Sequence, residues 1–562
     1  MCGIFGCIGK GDLVTQTLRG LKILEYRGYD SAGIAYPTTK GLKTIKSVGD
    51  ISQLTAKIKR KPRPQVCIGH TRWATNGGVC ESNSHPHLSV DGNIAVVHNG
   101  IIQNYPQCQA LLTQHQITLQ TTVDTEVIPN ILYLLRHDKH KIHDYLQGQY
   151  VFCACLAEQN NALFLAKKGS LPLYIGKDDQ CLFITSDTLA LPTTVKQIIA
   201  LQDHDTCEIN QSQMIFFNRN RPIHKTWQPF TQTFTASDKN GFRTFMQKEI
   251  HEIPNVLTRI TQAYHHDPVI TQQIARCHQL FKHTTCVHLC ACGTSYHAAL
   301  VLANLIEQHL GLRAKAHISS EFTAATLLGD QANLAIVISQ SGETADTLAC
   351  MNILKHHRVP IIAFCNVPSS TIAQQSQLCF PLLCGPEVAV ASTKVFCASI
   401  LVGCLLINKF TPTDFNALPA MATTILTQAH TLIPLPATLP SKIFFIGKGL
   451  DYFLALESAL KVKEVTYTHC EGYPANELKH GPLSLVDAQT LAIVYVSDTD
   501  NAISEITARG GQVIQLPNPD PNNPLSFIAK IIPAQIFALR LAEQLGINPD
   551  RPRNLAKSVT VL

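Results

Sequence analysis

The sequence has no dense block of lysine and arginine, and its net charge of +6 is small for 562 residues. Because a concentrated basic patch is the usual mark of nucleic-acid binding, we expect no nucleic-acid partner. The 20 cysteines include no CxxC pair, and no compact Cys/His cluster has zinc spacing. Most of them lie inside apolar runs, which is typical of buried thiols in a reducing compartment.

Long hydrophobic runs and a secretory signal are also missing. The N-terminus lacks the basic segment and the long apolar core of a signal peptide. The longest apolar run, around Val395–Ile407, is shorter than the ~18–20 residues that span a bilayer, and it predicts a buried helix. These absences predict a soluble, cytoplasmic protein with no membrane partner. A chain of 562 residues is long enough for about three or four domains.

Residues 2–225 contain many short apolar segments separated by Gly, Asn, His and Pro. Segments such as QVCIGHTRWAT, NIAVVHNGII and QYVFCACLA predict strands, and TLRGLKILEYRG and DTEVIPNILYLLRH predict helices between them. This mixture predicts a layered α+β domain. Residues 226–245 begin with a polar stretch that has no periodicity, which indicates a linker.

The sequence pattern of the rest of the chain predicts strand–turn–helix units, and this pattern occurs twice. CVHLCACGTSY, LAIVISQSGE and PIIAFCN in the first copy correspond to KIFFIGKGLDY, LAIVYVSDTD and QVIQLPN in the second. Matching strands at nearly equal intervals predict an internal repeat of two doubly wound domains, 246–425 and 426–545, and a tail, 546–562. Ligand loops in such domains follow the carboxyl ends of the parallel strands.

Cys2 directly follows the initiator Met. If Met1 is removed, Cys2 carries both a thiol and a free α-amino group, whose ordinary pKa is roughly 7.7–8.0. Such an amine can take the proton from its own thiol, as in N-terminal-nucleophile enzymes. The alternative is an ordinary buried thiol, so the neighbouring motifs have to decide between the two.

Three further stretches suit the attack of a thiolate on a carboxamide. HNG places Asn99 and Gly100 after a predicted strand, where an amide and a backbone N–H can stabilise an oxyanion. The guanidinium of Arg72 can pair with a carboxylate, and the carboxylate of Asp124 can pair with an ammonium. Taken singly, these residues also fit a hairpin turn, a surface charge and a helix N-cap. Together with Cys2 they predict a glutamine amide site.

The motifs CGIFG, LEYRGYDSAG, GHTRWAT, HPH, VVHNGII and DTEV together resemble the N-terminal-nucleophile glutaminase domain of the glucosamine-6-phosphate synthase family. RGYDSAG is shared with other glutamine amidotransferases, so this domain indicates the glutaminase class more firmly than the acceptor. The resemblance implies Cys2 as the nucleophile, its α-amino group as the base, and an oxyanion hole of Asn99 and Gly100. It implies that glutamine is held by Arg72, Thr75, His85 and Asp124, with Trp73 near the ammonia exit. The chain has Asn76 where the family usually has His.

ISQSGETADT has the composition of a strand end, a hydroxyl-rich glycine turn and a helix start. Backbone N–H groups and the positive end of a helix dipole favour a phosphate there, and Ser339, Ser341 and Thr344 add hydroxyl donors. CGTSY places Thr294 and Ser295 at the end of another strand. Either loop alone fits an ordinary Ser/Thr cap, but two such loops in one domain favour a ligand.

Lys461 and Glu464 in ALESALKVKEVTY are three residues apart, which places them on one face of a predicted helix. ELKHGPL supplies His480. Moving a proton between adjacent sugar carbons needs a carboxylate base, and opening a sugar ring needs an acid or base such as His. These residue types fit an aldose–ketose isomerisation, although a surface ion pair and a polar loop would have the same local pattern.

ISQSGET, CGTSY and VASTK resemble the sugar isomerase (SIS) fold, and ALESALKVKE, ELKHGPL and PRNLAKSVTV resemble the isomerase half of the same synthase family. The resemblance implies that the sugar phosphate is held by Thr294, Ser295, Ser339, Gln340, Ser341, Thr344, Val390 and Ser392. It implies Glu464 for the C1–C2 proton transfer, with Lys461 assisting. It also implies that His480 opens the sugar ring from the partner subunit, and that Lys557 forms a Schiff base.

The predicted architecture is an αββα N-terminal-nucleophile glutaminase domain, 2–225, followed by two doubly wound parallel-sheet SIS domains. The resemblance covers nearly the whole chain and implies an enzyme that makes glucosamine 6-phosphate from glutamine and fructose 6-phosphate, the first step of hexosamine synthesis. It implies a homodimer with a shared sugar site, and no metal or other cofactor. Two alternatives stay open: a class 2 amidotransferase with another acceptor, and a catalytically silent sugar-phosphate-binding regulator.

Overall fold

A computed structural model describes residues 2–59, 62–73, 77–157, 162–169, 171–210, 213–231, 239–329, 332–368, 370–495 and 500–559. The chain divides into two units, one of Met1–Asp238 with Ala556–Leu562 and one of Lys239–Leu555. None of the helices in the described ranges combines the length and apolar composition that a bilayer crossing requires. Thr75 and Asn76, which the sequence motifs single out, lie outside the described residues.

The first unit contains two antiparallel sheets. In order across the sheet, the first has eight strands: β15 (Gln228–Pro229), β11 (Gln197–Ala200), β9 (Tyr174–Lys177), β10 (Cys181–Thr185), β1 (Gly3–Gly9), β4 (Val66–Arg72), β2 (Ser31–Thr38) and β3 (Gly41–Val48). The second has seven strands: β14 (Arg221–Ile223), β13 (Met214–Asn218), β12 (Asp205–Ile209), β8 (Ala162–Lys168), β7 (Gly148–Leu156), β6 (Ile94–Ile102) and β5 (His87–Leu88). The helices are α1 (Leu13–Leu24), α2 (Ile51–Lys57), α3 (Tyr105–Gln114), α4 (Val127–Leu134) and α5 (Ile142–Tyr145).

The alternation of side chains along β1 shows how the layers stack. Ile4 and Ile8 pack in a core shared with β4, β6, β7 and β8, which lies between the two sheets. Phe5 and Cys7 point to the other face and pack against α1. On the outer face of the second sheet, α4 packs against Tyr150 and neighbouring residues of β7. Because side chains alternate along a strand, each sheet contributes to two cores, and the predicted αββα layering is confirmed.

The second unit contains two parallel sheets. The first has the order β17 (Arg313–Ile318), β16 (Cys286–Ala291), β18 (Asn333–Ser339), β19 (Ile361–Cys365) and β20 (Leu378–Pro381). The second has the order β22 (Cys470–Pro474), β21 (Lys442–Gly447), β23 (Thr490–Tyr495) and β24 (Gln512–Leu516). The helices are α6 (Phe245–His251), α7 (Ile253–His266), α8 (Pro268–Lys282), α9 (Gly293–Leu310), α10 (Ala345–His356), α11 (Thr371–Gln375), α12 (Lys394–Ile407), α13 (Pro412–Leu432), α14 (Leu450–Thr466), α15 (Asp500–Thr507) and α16 (Ile532–Gln544).

The two parallel sheets confirm the predicted repeat. In each copy the first strand lies between the second and the third, and the fourth follows the third. One apolar core joins the inner faces of both sheets and includes residues of α9, α12 and α14. All residues of α12 are buried, which confirms the buried helix predicted around Val395–Ile407.

The structure continues across two of the predicted boundaries. Gln228–Pro229 forms β15 and pairs with β11, so the first sheet extends into the predicted linker, 226–245. A two-residue strand is too short to show a period in sequence, which explains the difference. The predicted boundary between 425 and 426 falls within α13, because one helix of 21 residues continues across it.

Candidate active sites

The thiol of Cys2 lies beside the end of strand β4. The Trp73 backbone N–H donates to Cys2 Sγ over 3.3 Å, and Sγ lies 3.5 Å from the Trp73 carbonyl oxygen. Gly3 pairs with Thr71 in the antiparallel ladder of β1 and β4. The residue before Gly3, Cys2, therefore lies next to the residues that follow Thr71, which include Trp73. Burial raises the pKa of the Cys2 thiol, although the Trp73 N–H and the Arg72 guanidinium oppose the shift. The thiol therefore needs a base to become a nucleophilic thiolate at neutral pH.

Asn99 and Gly100 lie within strand β6 rather than after it. Asn99 Nδ2 donates to the Cys2 carbonyl oxygen over 3.0 Å, which places the amide next to the thiol residue. Gly100 has a φ of +127°, and a Cβ there would lie 2.2 Å from the Gln149 carbonyl oxygen. The strand predicted over NIAVVHNGII is confirmed, but the placement of HNG after that strand is wrong, because glycine lets the strand continue to Ile102 while it adopts this φ. The alternative of a hairpin turn at Asn-Gly is also excluded.

Arg72 precedes strand β6 in the sequence and Asp124 follows it. Both residues are buried. Asp124 Oδ2 accepts the Ile102 backbone N–H over 2.8 Å, which ties it to the end of β6. Arg72 ends β4 and donates to the carbonyl oxygens of Gly77 and Gly78, at 3.3 Å each. The surface-charge interpretation of Arg72 is therefore excluded, since its side chain is held inside the unit.

A cluster of buried histidines supports Asn99, and the sequence analysis did not identify it. His70 Nε2 lies 3.0 Å from Asn99 Oδ1, and the His70 ring stacks on His85 with the ring centres 4.0 Å apart. Burial lowers the pKa of His70 to about 3, and it also lowers the pKa values of His85 and His98. Because Asn Oδ1 only accepts hydrogen bonds, the neutral His70 donates its Nε2–H and so orients the amide nitrogen towards Cys2.

His85 and Trp73, two other predicted glutamine-site residues, are held by neighbouring side chains and backbone. His85 Nδ1 accepts the His98 backbone N–H over 3.2 Å, and its Nε2 lies 3.4 Å from the Thr125 hydroxyl oxygen. Trp73 packs edge-on against Tyr29, with the ring centres 5.4 Å apart. Cys2, Trp73 and Asn99 therefore lie next to one another in the first unit, and the buried His70 holds the Asn99 side chain.

In the second unit, ISQSGET forms the predicted strand end, turn and helix start. Ser339 ends β18, and Thr344 precedes the first residue of α10. Ser339 Oγ accepts the Gly342 N–H over 3.0 Å, and Ser341 Oγ accepts the Glu343 N–H over 3.2 Å. The half-buried Gln340 lies in the same turn. The turn lies at the carboxyl end of a central strand and at a helix N-terminus, an arrangement that favours phosphate.

The VASTK loop is held by the buried carboxylate of Glu387 and by the backbone of Asp550, two residues that were not predicted from the sequence. Ser392 Oγ donates to Glu387 Oε2 over 2.8 Å, and the Thr393 N–H donates to Glu387 Oε1 over 2.9 Å. The Val390 N–H donates to the carbonyl oxygen of Asp550 over 3.2 Å. The side chain of Asp550 in turn accepts two backbone N–H groups at the start of α6. The loop is therefore fixed from both sides.

CGTSY directly follows β16 and begins α9, and its two hydroxyl residues differ in their contacts. Thr294 Oγ1 donates to Glu457 Oε1 over 3.0 Å and accepts from Lys461 Nζ over 2.9 Å. Ser295, the next residue in the same turn, is half-buried. The Thr294 hydroxyl thus connects α9 of the first parallel-sheet copy to α14 of the second.

Lys461 and Glu464 form an ion pair on α14, but not on the surface. Lys461 Nζ lies 2.6 Å from Glu464 Oε2 and 3.4 Å from Glu457 Oε1, and the Lys461 side chain is 0% exposed. Burial alone would lower the pKa of Lys461, but Glu457 and Glu464 outweigh it and raise the pKa. The alternative of a surface ion pair is excluded, and Lys461 is a buried cation at neutral pH.

His480 and Lys557 belong to other segments of the chain. His480 is exposed in the short 3-10 turn Glu477–His480, and Lys461 contacts Thr294, Glu457 and Glu464 but not His480. Lys557 is half-buried in the C-terminal segment that groups with the first unit.

Across the residues that the structure describes, no group of three His, Cys, Asp or Glu side chains is arranged to hold a metal ion.

Comparisons with known proteins cover both units. A family model for a glutamine amidotransferase domain matches residues 70–193, and one for a SIS domain matches residues 281–409 and 440–530. A glutamine–fructose-6-phosphate aminotransferase (isomerizing) of Xylella fastidiosa strain Temecula1 is 34% identical, over 100% of both chains. A protein of the same name from Caldanaerobacter subterraneus is 33% identical, again over 100% of both chains. The solved C-terminal domain of a glucosamine-fructose-6-phosphate aminotransferase from Francisella tularensis is 28% identical, covers 56% of this chain and 100% of its own, and has a TM-score of 0.49.

Proposed function

The chain belongs to the glutamine–fructose-6-phosphate aminotransferase (isomerizing) family, and from this membership we propose that it converts fructose 6-phosphate and glutamine to glucosamine 6-phosphate and glutamate. The observation that carries the proposal is that one chain holds both halves of the chemistry. Cys2 lies beside Asn99 in an αββα unit, and Lys461 pairs with Glu464 in a repeated parallel-sheet unit. The reaction is the first step of hexosamine synthesis.

We propose that Cys2 attacks the side-chain amide of glutamine after Met1 has been removed. Its own α-amino group takes the thiol proton, which suits a thiol whose pKa is raised by burial. The thiolate adds to the amide carbon, and the developing oxyanion is stabilised by Asn99 Nδ2 and the Gly100 N–H. The C–N bond then breaks as the α-amino group returns the proton to the amide nitrogen, which leaves as ammonia, and water hydrolyses the thioester to glutamate and the free thiol. Arg72, Thr75, His85 and Asp124 hold the substrate, and Trp73 lies near the ammonia exit.

We propose that the sugar phosphate binds at the two loops that follow strands of the first SIS copy. The turn of ISQSGET supplies Ser339, Gln340, Ser341 and Thr344, and Thr294, Ser295, Val390 and Ser392 complete the site. The hydrogen bonds within the turn support this role, because they fix the hydroxyl-rich turn at the N-terminus of α10, where the helix dipole favours an anion.

We propose that Glu464 moves the proton between C1 and C2 of the sugar while Lys461 assists. A buried ammonium at 2.6 Å from Oε2 favours the ionised carboxylate, which is the form that a base requires. His480 opens the ring from the partner subunit of a homodimer, and its exposure suits that role. Lys557 forms the Schiff base with the open ketose.

The shared sugar site has its own test, in which two inactive variants are mixed. His480→Ala and Glu464→Gln chains each lack one residue of the site, so hybrid dimers carry one intact site. Subunit exchange is followed by mass spectrometry, and glucosamine 6-phosphate formation is measured before and after mixing. Activity that returns after exchange supports the shared site, and exchange without activity contradicts it.

The domain boundaries of the sequence analysis stay proposals, and so does the cytoplasmic location. All 20 cysteines are free, and most are buried. Free thiols in such number fit a reducing compartment, where disulfides are rare. This is the support for a cytoplasmic location.

The proposed activity is tested by incubating the full chain with glutamine and fructose 6-phosphate and measuring glucosamine 6-phosphate and glutamate. Formation of both products in equal amounts is expected. An amidotransferase with another acceptor would release glutamate without the amino sugar. A silent regulator would bind fructose 6-phosphate, measured by calorimetry, but would turn over neither substrate.

A further inference from the structure

Glu457 is a fully buried carboxylate that the proposed reaction does not use. Its side chain is 0% exposed, and it accepts hydrogen bonds at both oxygens. Oε1 lies 3.0 Å from Thr294 Oγ1 and 3.4 Å from Lys461 Nζ. Oε2 lies 2.8 Å from His297 Nδ1. A buried carboxylate is unfavourable unless it is paired and hydrogen-bonded, so this set of partners has to stay complete.

The partners of Glu457 come from two helices that occupy equivalent places in the repeat. Helix α9 follows the first strand of the first SIS copy, and α14 follows the first strand of the second. Thr294 and His297 are three residues apart near the start of α9, so they share the face that meets α14. The contact of Glu457 with both residues therefore fixes one copy of the repeat against the other at the position of the sugar site.

Lys461 depends on the same network. Its ammonium has three N–H donors, and three acceptors surround it: Thr294 Oγ1 at 2.9 Å, Glu464 Oε2 at 2.6 Å and Glu457 Oε1 at 3.4 Å. Glu457 in turn is oriented by His297, since Oε2 is bonded to the ring nitrogen and Oε1 then faces Lys461. His297 is thus connected to Glu464 through two intermediate side chains.

We propose that His297 and Glu457 are positioning residues for the isomerase base. They hold the Lys461 ammonium in one place, and Lys461 in turn holds the Glu464 carboxylate in the orientation that proton transfer between C1 and C2 requires. Neither residue contacts the sugar in this account. The inference rests on the proposed function, because it takes Glu464 to be the base.

The test compares His297→Leu with His297→Asn. Leu removes the donor to Glu457 Oε2, whereas Asn keeps an N–H on the atom bonded to Cγ, where His has Nδ1. The control is His278→Leu in α8, which removes a half-buried histidine bonded to the Leu406 carbonyl oxygen at 2.9 Å. Each variant is assayed for conversion of fructose 6-phosphate to glucose 6-phosphate without glutamine, for glucosamine 6-phosphate synthesis, and for glutamate release.

His297→Leu is expected to lower the kcat of both sugar reactions about 10-fold or more, while the KM for fructose 6-phosphate changes less than about twofold. His297→Asn recovers most of this kcat, and glutamate release in the absence of sugar stays at the wild-type rate in all variants. Glu457→Gln gives the same kcat loss, because its amide nitrogen cannot accept from the donor that faces it, His297 or Thr294, and the negative charge beside Lys461 is lost.

Three results would overturn the inference. The first is a His297→Leu enzyme whose sugar kcat equals that of His278→Leu. The second is a loss that appears only in KM, which would make His297 a binding residue. The third is a His297→Asn enzyme as slow as His297→Leu although both release glutamate normally. A wild-type chain that forms glucose 6-phosphate but no glucosamine 6-phosphate would contradict the proposed function. The positioning role of His297 would then still be decided by comparing the kcat values of the variants for isomerisation.

Discussion

The thiol of Cys2 lies 3.3 Å from the Trp73 backbone nitrogen and beside the amide of Asn99, and this placement leads to the first prediction. Cys2→Ala is expected to abolish glutamate release, because it removes the proposed nucleophile. Conversion of fructose 6-phosphate to glucose 6-phosphate is expected to continue, since the proposed sugar site does not include Cys2. Cys80→Ala is the matched control, because Cys80 is exposed and contacts Ser82. Normal glutamine turnover in Cys2→Ala would show that Cys2 is an ordinary thiol.

A second residue-scale prediction concerns stability in acid. Burial lowers the pKa of His143 to about 4, whereas an unfolded histidine has a pKa of about 6.5. The unfolded chain therefore binds one more proton than the folded chain between these values, and stability falls as pH falls through this window. His143→Phe removes this contribution, which amounts to at most about 1.4 kcal/mol per pH unit.

The melting temperature is measured from pH 7 to pH 4.5 for the wild type, His143→Phe and the control His137→Phe, which removes an exposed histidine. We expect a shallower decline in His143→Phe than in the other two. The slope of melting temperature against pH is compared rather than the melting temperature itself, because the substitution also removes the 2.7 Å contact between His143 Nδ1 and the Tyr150 hydroxyl oxygen. Equal slopes in all three proteins would contradict the prediction.

At the residue scale, charged side chains of the proposed sites can be predicted from the sequence, but the histidines that hold neighbouring side chains in place cannot. Lys461 and Glu464 are predicted because they are charged and share a helix face. His70 and His297 are not predicted, because a histidine that hydrogen-bonds to a distant residue has no local signature. His297 meets a carboxylate 160 positions further along the chain, and only the folded chain shows that contact.

At the element scale, the turn of ISQSGET depends on Gly342. Gly342 has a φ of +66°, and a Cβ there would lie 1.9 Å from Ser370 Oγ. Gly342→Ala is expected to lower glucosamine 6-phosphate synthesis about 10-fold or more, because the turn has to move away from the helix N-terminus that favours phosphate. Glutamate release without sugar is expected to stay unchanged.

The control for this prediction is Gly329→Ala. Gly329 also has a positive φ, +86°, but a Cβ there meets open space, so it measures the backbone strain without the overlap. Both variants are compared by steady-state kinetics with fructose 6-phosphate and by thermal unfolding. If Gly342→Ala behaves like Gly329→Ala in both measurements, the turn does not need a glycine for its function.

Elements with long apolar runs are predicted well from the sequence. The strands β6, β7 and β18 and the helix α12 are buried along most or all of their length. The exceptions have particular causes. β6 continues through Asn-Gly because Gly100 adopts a positive φ, and β15 is stabilised by pairing with β11 rather than by its own composition.

At the scale of the whole molecule, the repeat is predictable because both copies keep matching strands in the same order. Each copy also places its first strand between the second and third, which is a property of the doubly wound fold. The junction between the copies is not predictable in this way. α13 runs across it, and a long helix has no local signal that assigns its halves to different domains.

The tail that carries Lys557 provides a further prediction at this scale. Deleting residues from Ala556 onward is expected to abolish glucosamine 6-phosphate synthesis, because the Schiff-base lysine is lost. Glutamate release is expected to persist, but fructose 6-phosphate should no longer stimulate it. Lys557→Gln is the matched variant, since it keeps the tail and removes only the amine. Near-normal synthesis by the truncated chain would show that Lys557 has another role.

The central claim is that one chain takes nitrogen from glutamine and transfers it to fructose 6-phosphate. The most direct measurement supplies glutamine labelled with 15N at its side-chain amide, together with fructose 6-phosphate and an excess of unlabelled ammonium, and determines the isotope in the product by mass spectrometry. The account predicts glucosamine 6-phosphate that is almost fully labelled at its amino group, with one glutamate released for each amino sugar formed. Unlabelled glucosamine 6-phosphate, or glutamate release with no amino sugar, would contradict it.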